Sequence, residues 1–193
     1  GLLLPESEGR SDLLYLQSII HSLGMDAARI SIIPLLESPA GILNAMDIAS
    51  AAGVIALAFG ALDYARSMGI ELSQQGTETL FARSQIAITA HAAGILAVDS
   101  PWFEIHDMEG LERDALLARS LGYHGKLVIH PKHLPVVNRA FSPSDKEMDK
   151  AASIVEAFER GLAAGKGAVL FEGKMIDRAS YRAALDLLEE MEA

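Results

Sequence analysis

Apolar residues in this chain fall into two patterns: short unbroken runs, and longer stretches where they recur every three or four positions. Unbroken runs read as strands covered on both faces, and the spaced pattern reads as amphipathic helices. Their alternation predicts a parallel sheet built from βα units. Strands are predicted at residues 2–5, 30–36, 54–59, 96–98 and 126–129. Helices are predicted over 12–23, where Leu13, Leu16, Ile19, Ile20 and Leu23 share a face before Gly24, over 77–93 before Gly94, and over 108–121 before Gly122.

The character changes after Pro143. Ser144, with Glu147 three residues on, is a capping-box signature for a helix running to about residue 162. A Gly-rich stretch over 161–167, the apolar run 168–171, a turn at Gly173 and a last helix over 180–190 follow. The expected division is therefore 1–141, holding the βα units, and 142–193, an appendage outside them.

Two of the apolar runs stop on a carboxylate, Glu37 and Asp63. In parallel sheets and barrels the chemistry sits at the carboxyl ends of the strands, so both acids can face one point. Two hard oxygen donors, with no Cys in the chain, suit Mg²⁺ that keeps waters and takes its other ligands from a substrate. The alternative is that each acid caps the following helix. The Gly60-Ala61-Leu62 stretch ahead of Asp63 offers backbone N–H groups and a helix start to a small carboxylate, or serves only as a turn.

The histidines show no metal-ligand spacing: His21 and His91 fall in helices, and His106, His124 and His133 in polar connections. His130 is expected to end a buried strand and tie it to its loop. Arg83 reads as a structural ion pair or solvated helix charge, or as a group neutralising the acidic rim. Asp99 and Trp102 follow a strand, where Trp102 walls an acyl pocket or covers the sheet end.

Composition narrows the classes further. Half the residues are hydrophobic and the net charge is −10, which argues against nucleic acid or an anionic membrane surface as partner. The absence of cysteine excludes a disulfide scaffold and thiol catalysis. No apolar run reaches the roughly 18 residues of a membrane span. The expected setting is the cytoplasm.

Five stretches occurring in order carry a family resemblance: Leu35-Leu36-Glu37-Ser38-Pro39-Ala40-Gly41-Ile42-Leu43-Asn44-Ala45, Leu57-Ala58-Phe59-Gly60-Ala61-Leu62-Asp63, Phe81-Ala82-Arg83-Ser84, Gly125-Lys126-Leu127-Val128-Ile129-His130-Pro131 and Gly173-Lys174-Met175-Ile176-Asp177. Together they resemble the citrate lyase beta subunit-like branch of the HpcH/HpaI aldolase superfamily, which also holds the malyl-CoA and citramalyl-CoA lyases. The resemblance implies a TIM (β/α)₈ barrel of which this sequence carries about strands four to eight plus a C-terminal helical lid. The chain opens inside an apolar run, and the family's first three strands, with an arginine and an acidic cluster near the metal, are expected to be missing from it.

By the same resemblance Glu37 and Asp63 are ligands of Mg²⁺, and Gly60, Ala61 and Leu62 cradle the carboxylate of a small oxo acid. Ile129, His130 and Pro131 border the coenzyme A groove. Asp177, which otherwise reads as a helix-start acid, reaches a neighbouring subunit's site as general acid/base. The implied activity is Mg²⁺-dependent carbon-carbon cleavage or formation of a β-hydroxyacyl-CoA of the citryl-, malyl- or citramalyl-CoA type, giving acetyl-CoA plus an oxo acid. The implied assembly is a homo-oligomer, trimer or hexamer. A CoA-independent class II pyruvate aldolase and a truncated non-catalytic homologue are the alternatives. The chain departs from the family where Glu6 follows Pro5 in place of Lys, and where Ala40 replaces a frequent Arg. Both changes remove positive charge from a rim expected to meet an anionic thioester.

Overall fold

The computed structural model describes residues 1–189, which divide into two compact units, 1–141 and 142–189 within the described residues. The first is a parallel sheet of β1 (Leu2–Leu4), β2 (Ile32–Leu36), β3 (Ala56–Phe59), β4 (Leu96–Asp99) and β5 (Gly125–Lys126), ordered as in the chain. Helices α1 (Arg10–Ser22), α2 (Pro39–Leu43), α3 (Ala45–Ala49), α4 (Ala61–Met68), α5 (Leu80–Ala93) and α6 (Met108–Ser120) occupy the connections, and α7 (Leu134–Phe141) follows β5. Sequential order in an all-parallel sheet is what repeated βα units produce when each crossover returns the chain beside the strand it left. Among the described pairings β1 and β5 are the two edges.

Burial follows the apolar runs. All four residues of β3 are buried, and Leu36 at the end of β2 and Phe59 at the end of β3 are fully enclosed. Leu13 of α1, Ile48 of α3 and Ile86 of α5 join them in one core. Helix ends obey local chemistry: Ser38 caps α2 by accepting from the Gly41 N–H, and α5 stops at Gly94, whose left-handed φ of +69° an L side chain rarely adopts.

The strands differ from expectation at their ends. Val54 makes only an isolated bridge to Ile32, and β4 runs one residue further, to Asp99. The largest correction concerns residues 126–129, expected as a strand, where β5 covers only Gly125–Lys126. Its partner accounts for this. The Leu127 N–H still bonds the Asp99 carbonyl, but β4 ends there and Pro101 has no N–H to extend a ladder. His130 therefore ends no buried strand. It is half-buried and starts the short 3₁₀ turn Pro131–His133, its Nδ1 accepting from the Lys132 N–H at 3.1 Å. His133, expected in a polar connection, is fully buried with Nε2 against the Ile105 carbonyl at 3.2 Å.

The second unit consists of α8 (Asp145–Ala163), the antiparallel hairpin β6 (Val169–Phe171) and β7 (Lys174–Ile176), and α9 (Arg178–Glu189). Gly173 at φ +75° makes the hairpin turn, and Phe158 stacks on Tyr181 with ring centroids 4.8 Å apart. The last helix begins two residues earlier than expected, because Asp177 serves as its cap. The expected helix end at residue 190 and the end of the appendage at 193 lie outside the described residues. Ser144 and Glu147 form the full capping box on α8. Ser144→Ala is expected to destabilise this unit by about 1 kcal/mol, measured by urea unfolding; no change in midpoint would mean the box adds nothing to α8.

Candidate active site

Glu37 is the first residue after β2, and Asp63 lies in the first turn of α4, after the neighbouring strand β3. The β2–β3 register pairs Leu36 with Phe59, so the two strands end side by side. Glu37 is 8% exposed, and its Oε1 accepts from the Glu6 N–H at 2.7 Å. Burial pushes its carboxyl above the usual range; the Glu6 N–H opposes this, and the negative charge of nearby Asp63 adds to it. The Asp63 side chain is half exposed, with Oδ1 accepting from Arg66 Nε at 3.1 Å and Nη2 at 2.9 Å.

Gly60 brings these elements together by lacking a side chain. A Cβ there would sit 2.6 Å from Glu37 Oε2 and 2.7 Å from Glu37 Cβ. Gly60→Ala is expected to cost about 1–3 kcal/mol through overpacking, seen as a lower thermal midpoint; an unchanged midpoint would show that Glu37 moves freely. The Gly60 N–H donates to the Leu36 carbonyl at 3.0 Å and the Ala61 N–H to Ser100 Oγ at 3.1 Å. Leu62, by contrast, is 57% exposed at the start of α4.

Two mutually repelling carboxylates at one sheet end, one of them raised by burial, are a donor set a divalent cation would relieve. Among the described residues no group of three or more His, Asp or Glu side chains gathers for a metal. A pair suits an ion that keeps waters and takes substrate oxygens, which is how Mg²⁺ is commonly bound. The residues present fit that ion.

Beside this pair lies a cluster of buried charge. Arg83 is 3% exposed and reaches Asp99 through Nε at 3.1 Å and Nη2 at 2.8 Å, and Asp114 through Nη1 at 2.9 Å. Lys126 Nζ meets the fully buried Asp99 at 2.5 Å and also bonds Asp114. The Tyr123 hydroxyl donates to the Arg83 carbonyl at 3.0 Å, and burial holds its pKa well above the usual phenol value. Two cations face two carboxylates, so the cluster closes on itself.

The chain matches the HpcH/HpaI aldolase/citrate lyase family model over residues 1–131. The chain belongs to the HpcH/HpaI family. Its relatives include the citrate lyase subunit beta of Haemophilus influenzae, 36% identical over 179 residues, spanning 90% of this chain and 62% of that protein. The mitochondrial citramalyl-CoA lyase of Rattus norvegicus is 30% identical over 200 residues, spanning 97% of this chain and 59% of the relative. Among solved structures, the CitE protein of Mycobacterium tuberculosis in complex with magnesium, acetoacetate and coenzyme A superposes with a TM-score of 0.78, at 29% identity, over 99% of this chain and 68% of that one. The chain thus spans about three-fifths of the length of these curated relatives.

Within this HpcH/HpaI chain the candidate residues are not all in one place. Glu37, Gly60, Ala61, Leu62 and Asp63 share one sheet end. Ile129, His130 and Pro131 form a turn after β5, with Ile129 51% exposed, and the hydrogen bonds described for His130 are local to that turn. Asp177 belongs to the second unit, where its Oδ1 accepts from the Ser180 N–H and hydroxyl, each at 2.9 Å. Those bonds hold its carboxyl below the usual range. Nothing in the sequence singles out Lys126 or Asp114; the one local signal of their cluster is a strand-end Asp, Asp99, in the same unit as a helix Arg, Arg83.

Proposed function

We propose that this protein is a Mg²⁺-dependent carbon-carbon lyase that cleaves or forms a β-hydroxyacyl-CoA of the citryl-, malyl- or citramalyl-CoA type. The observation that carries the reading is the Glu37–Asp63 pair at adjacent strand ends around Gly60, in a chain whose relatives are named as citrate lyase beta subunits and CoA-ester lyases. Glu37 and Asp63 would hold Mg²⁺, which as a Lewis acid stabilises oxyanion character on the oxo or hydroxy acid. Glu6 fixes the Glu37 carboxylate through its N–H, and Arg66 holds Asp63 on the helix surface. The first turn of α4 presents Leu62 and the helix N-terminus to the acid's carboxylate.

In cleavage the β-hydroxyl proton passes to solvent water, its oxygen becomes the carbonyl of the oxo acid, and the electron pair of the broken carbon-carbon bond passes to the carbon bearing the thioester. Asp177 of a neighbouring subunit, entering this direction protonated, gives its proton to that carbon, yielding acetyl-CoA, and is reprotonated from solvent. In condensation the same carboxylate, ionised, removes a methyl proton from acetyl-CoA. The turn at residues 129–131 borders the coenzyme A groove. The five strands of the first unit correspond to strands four to eight of a barrel, completed by further strands along the free edges of β1 and β5. Residues from 142 onward act as the lid of a cytoplasmic homo-oligomer, trimer or hexamer.

The test is direct. The full-length protein should release acetyl-CoA from malyl-CoA, citramalyl-CoA or citryl-CoA with Mg²⁺ present, and lose this with EDTA. Failure on all three thioesters, with metal supplied, would overturn the reading.

A further inference from the structure

We infer that Ser100 is a positioning residue for the Gly60–Asp63 turn: its hydroxyl clamps the Ala61 amide and so sets which backbone N–H groups remain for the oxo acid. This rests on the function proposed above. Ser100 is 5% exposed, and its Oγ accepts from the Ala61 N–H at 3.1 Å across two neighbouring strand ends. On the other side the turn is closed by Glu37, since a Cβ at Gly60 would lie 2.6 Å from Oε2. The turn is therefore held between the metal-binding carboxylate and the Ser100 hydroxyl.

Ser100 owes its own fixed place to the residue before it. Asp99 is fully buried; its side chain takes two bonds from Arg83 and one from Lys126, and its carbonyl accepts from the Leu127 N–H at 2.9 Å. The closed charge cluster thus anchors β4 at its last residue, and Ser100 carries that rigidity to the turn. The Gly60 N–H is given to Leu36 and the Ala61 N–H to Ser100, so of the first turn of α4 it is the N–H groups of Leu62 and Asp63, which as first-turn residues have no i−4 carbonyl within the helix, that are offered to a carboxylate. Position 100 would then tune oxo-acid affinity without touching metal or thioester.

The test compares wild type, Ser100→Ala and Ser100→Thr in the full-length protein. Amide exchange of the peptide spanning residues 59–63 is followed by mass spectrometry, and condensation of acetyl-CoA with pyruvate or glyoxylate by steady-state kinetics. Ser100→Ala should speed exchange in that peptide and raise the KM for the oxo acid, each by about tenfold, the size of one net hydrogen bond. Its kcat should stay within about twofold, as expected for lost uniform binding, and Ser100→Thr, which keeps the hydroxyl, should restore both readouts. Unchanged exchange in Ser100→Ala, or a kcat loss with KM unmoved, would overturn the inference. A wild-type protein without lyase activity would instead sink the functional reading, and exchange alone would then decide whether Ser100 holds the turn.

Discussion

Arg83→Met is expected to destabilise the first unit by about 3–5 kcal/mol, the usual result of removing one partner from a buried ion pair. The substitution keeps an unbranched apolar stem but deletes the group that bonds both oxygens of Asp99 and reaches Asp114. Asp99 is fully buried, so its charge has no access to water, and Lys126 would be left to serve two carboxylates. An uncompensated negative charge would then remain inside the unit. The exposed pair Arg139–Glu112, at 3.3 Å with side chains 63% and 44% accessible, is the matched control. Arg139→Met should cost no more than about 1 kcal/mol. Urea unfolding measures both. A loss below about 1 kcal/mol for Arg83→Met would mean that water enters the cluster, or that its charges repack around Lys126.

Asp177→Asn is expected to lower kcat by on the order of 10²- to 10⁴-fold, the contribution typical of a general acid/base, while leaving Mg²⁺ affinity nearly unchanged. The substitution keeps a side-chain oxygen that can still accept from the Ser180 N–H, so helix α9 should retain its start. Mixing Asp177→Asn subunits with Glu37→Gln subunits should recover part of the activity, because some interfaces then pair an intact metal site with an intact acid from the neighbour. No recovery in well-mixed oligomers would place Asp177 in its own subunit's reaction. An unchanged kcat in the single mutant would leave it only as the cap of α9.

Much of this molecule follows from local pattern. The runs ending at Leu36 and Phe59 read as covered strands from their unbroken apolar character; all four residues of β3 are buried, and β2 alternates buried and half-buried. Ser144 with Glu147, and Gly94 after Ala93, set helix boundaries through hydrogen bonds and backbone angles confined to a few residues. The failures share a different cause. Strand β5 stops at Lys126 because its partner β4 turns away, a fact held in residues 99–101 and invisible in the run 126–129 itself. His133 is buried through the Ile105 carbonyl 28 positions away. Lys126 reads as a surface residue by type, and only the arrival of Asp99 and Asp114 beside it makes burial tolerable. The site divides the same way. Glu37 and Asp63 stand out because each follows an apolar run, whereas the Gly60 contact with Glu37 and the Ser100 clamp on Ala61 exist only once strands from distant parts of the chain lie side by side.

Calorimetric titration of Mg²⁺ into the full-length protein and its Glu37→Gln and Asp63→Asn variants tests the metal pair on which the proposed chemistry depends. Wild type should bind one Mg²⁺ per subunit. Each variant should bind at least about 10- to 100-fold more weakly, since even partners one layer outside a metal's ligands have effects of that size. Equal Mg²⁺ affinity in wild type and Glu37→Gln would contradict the assignment and leave both acids as residues of the sheet end alone.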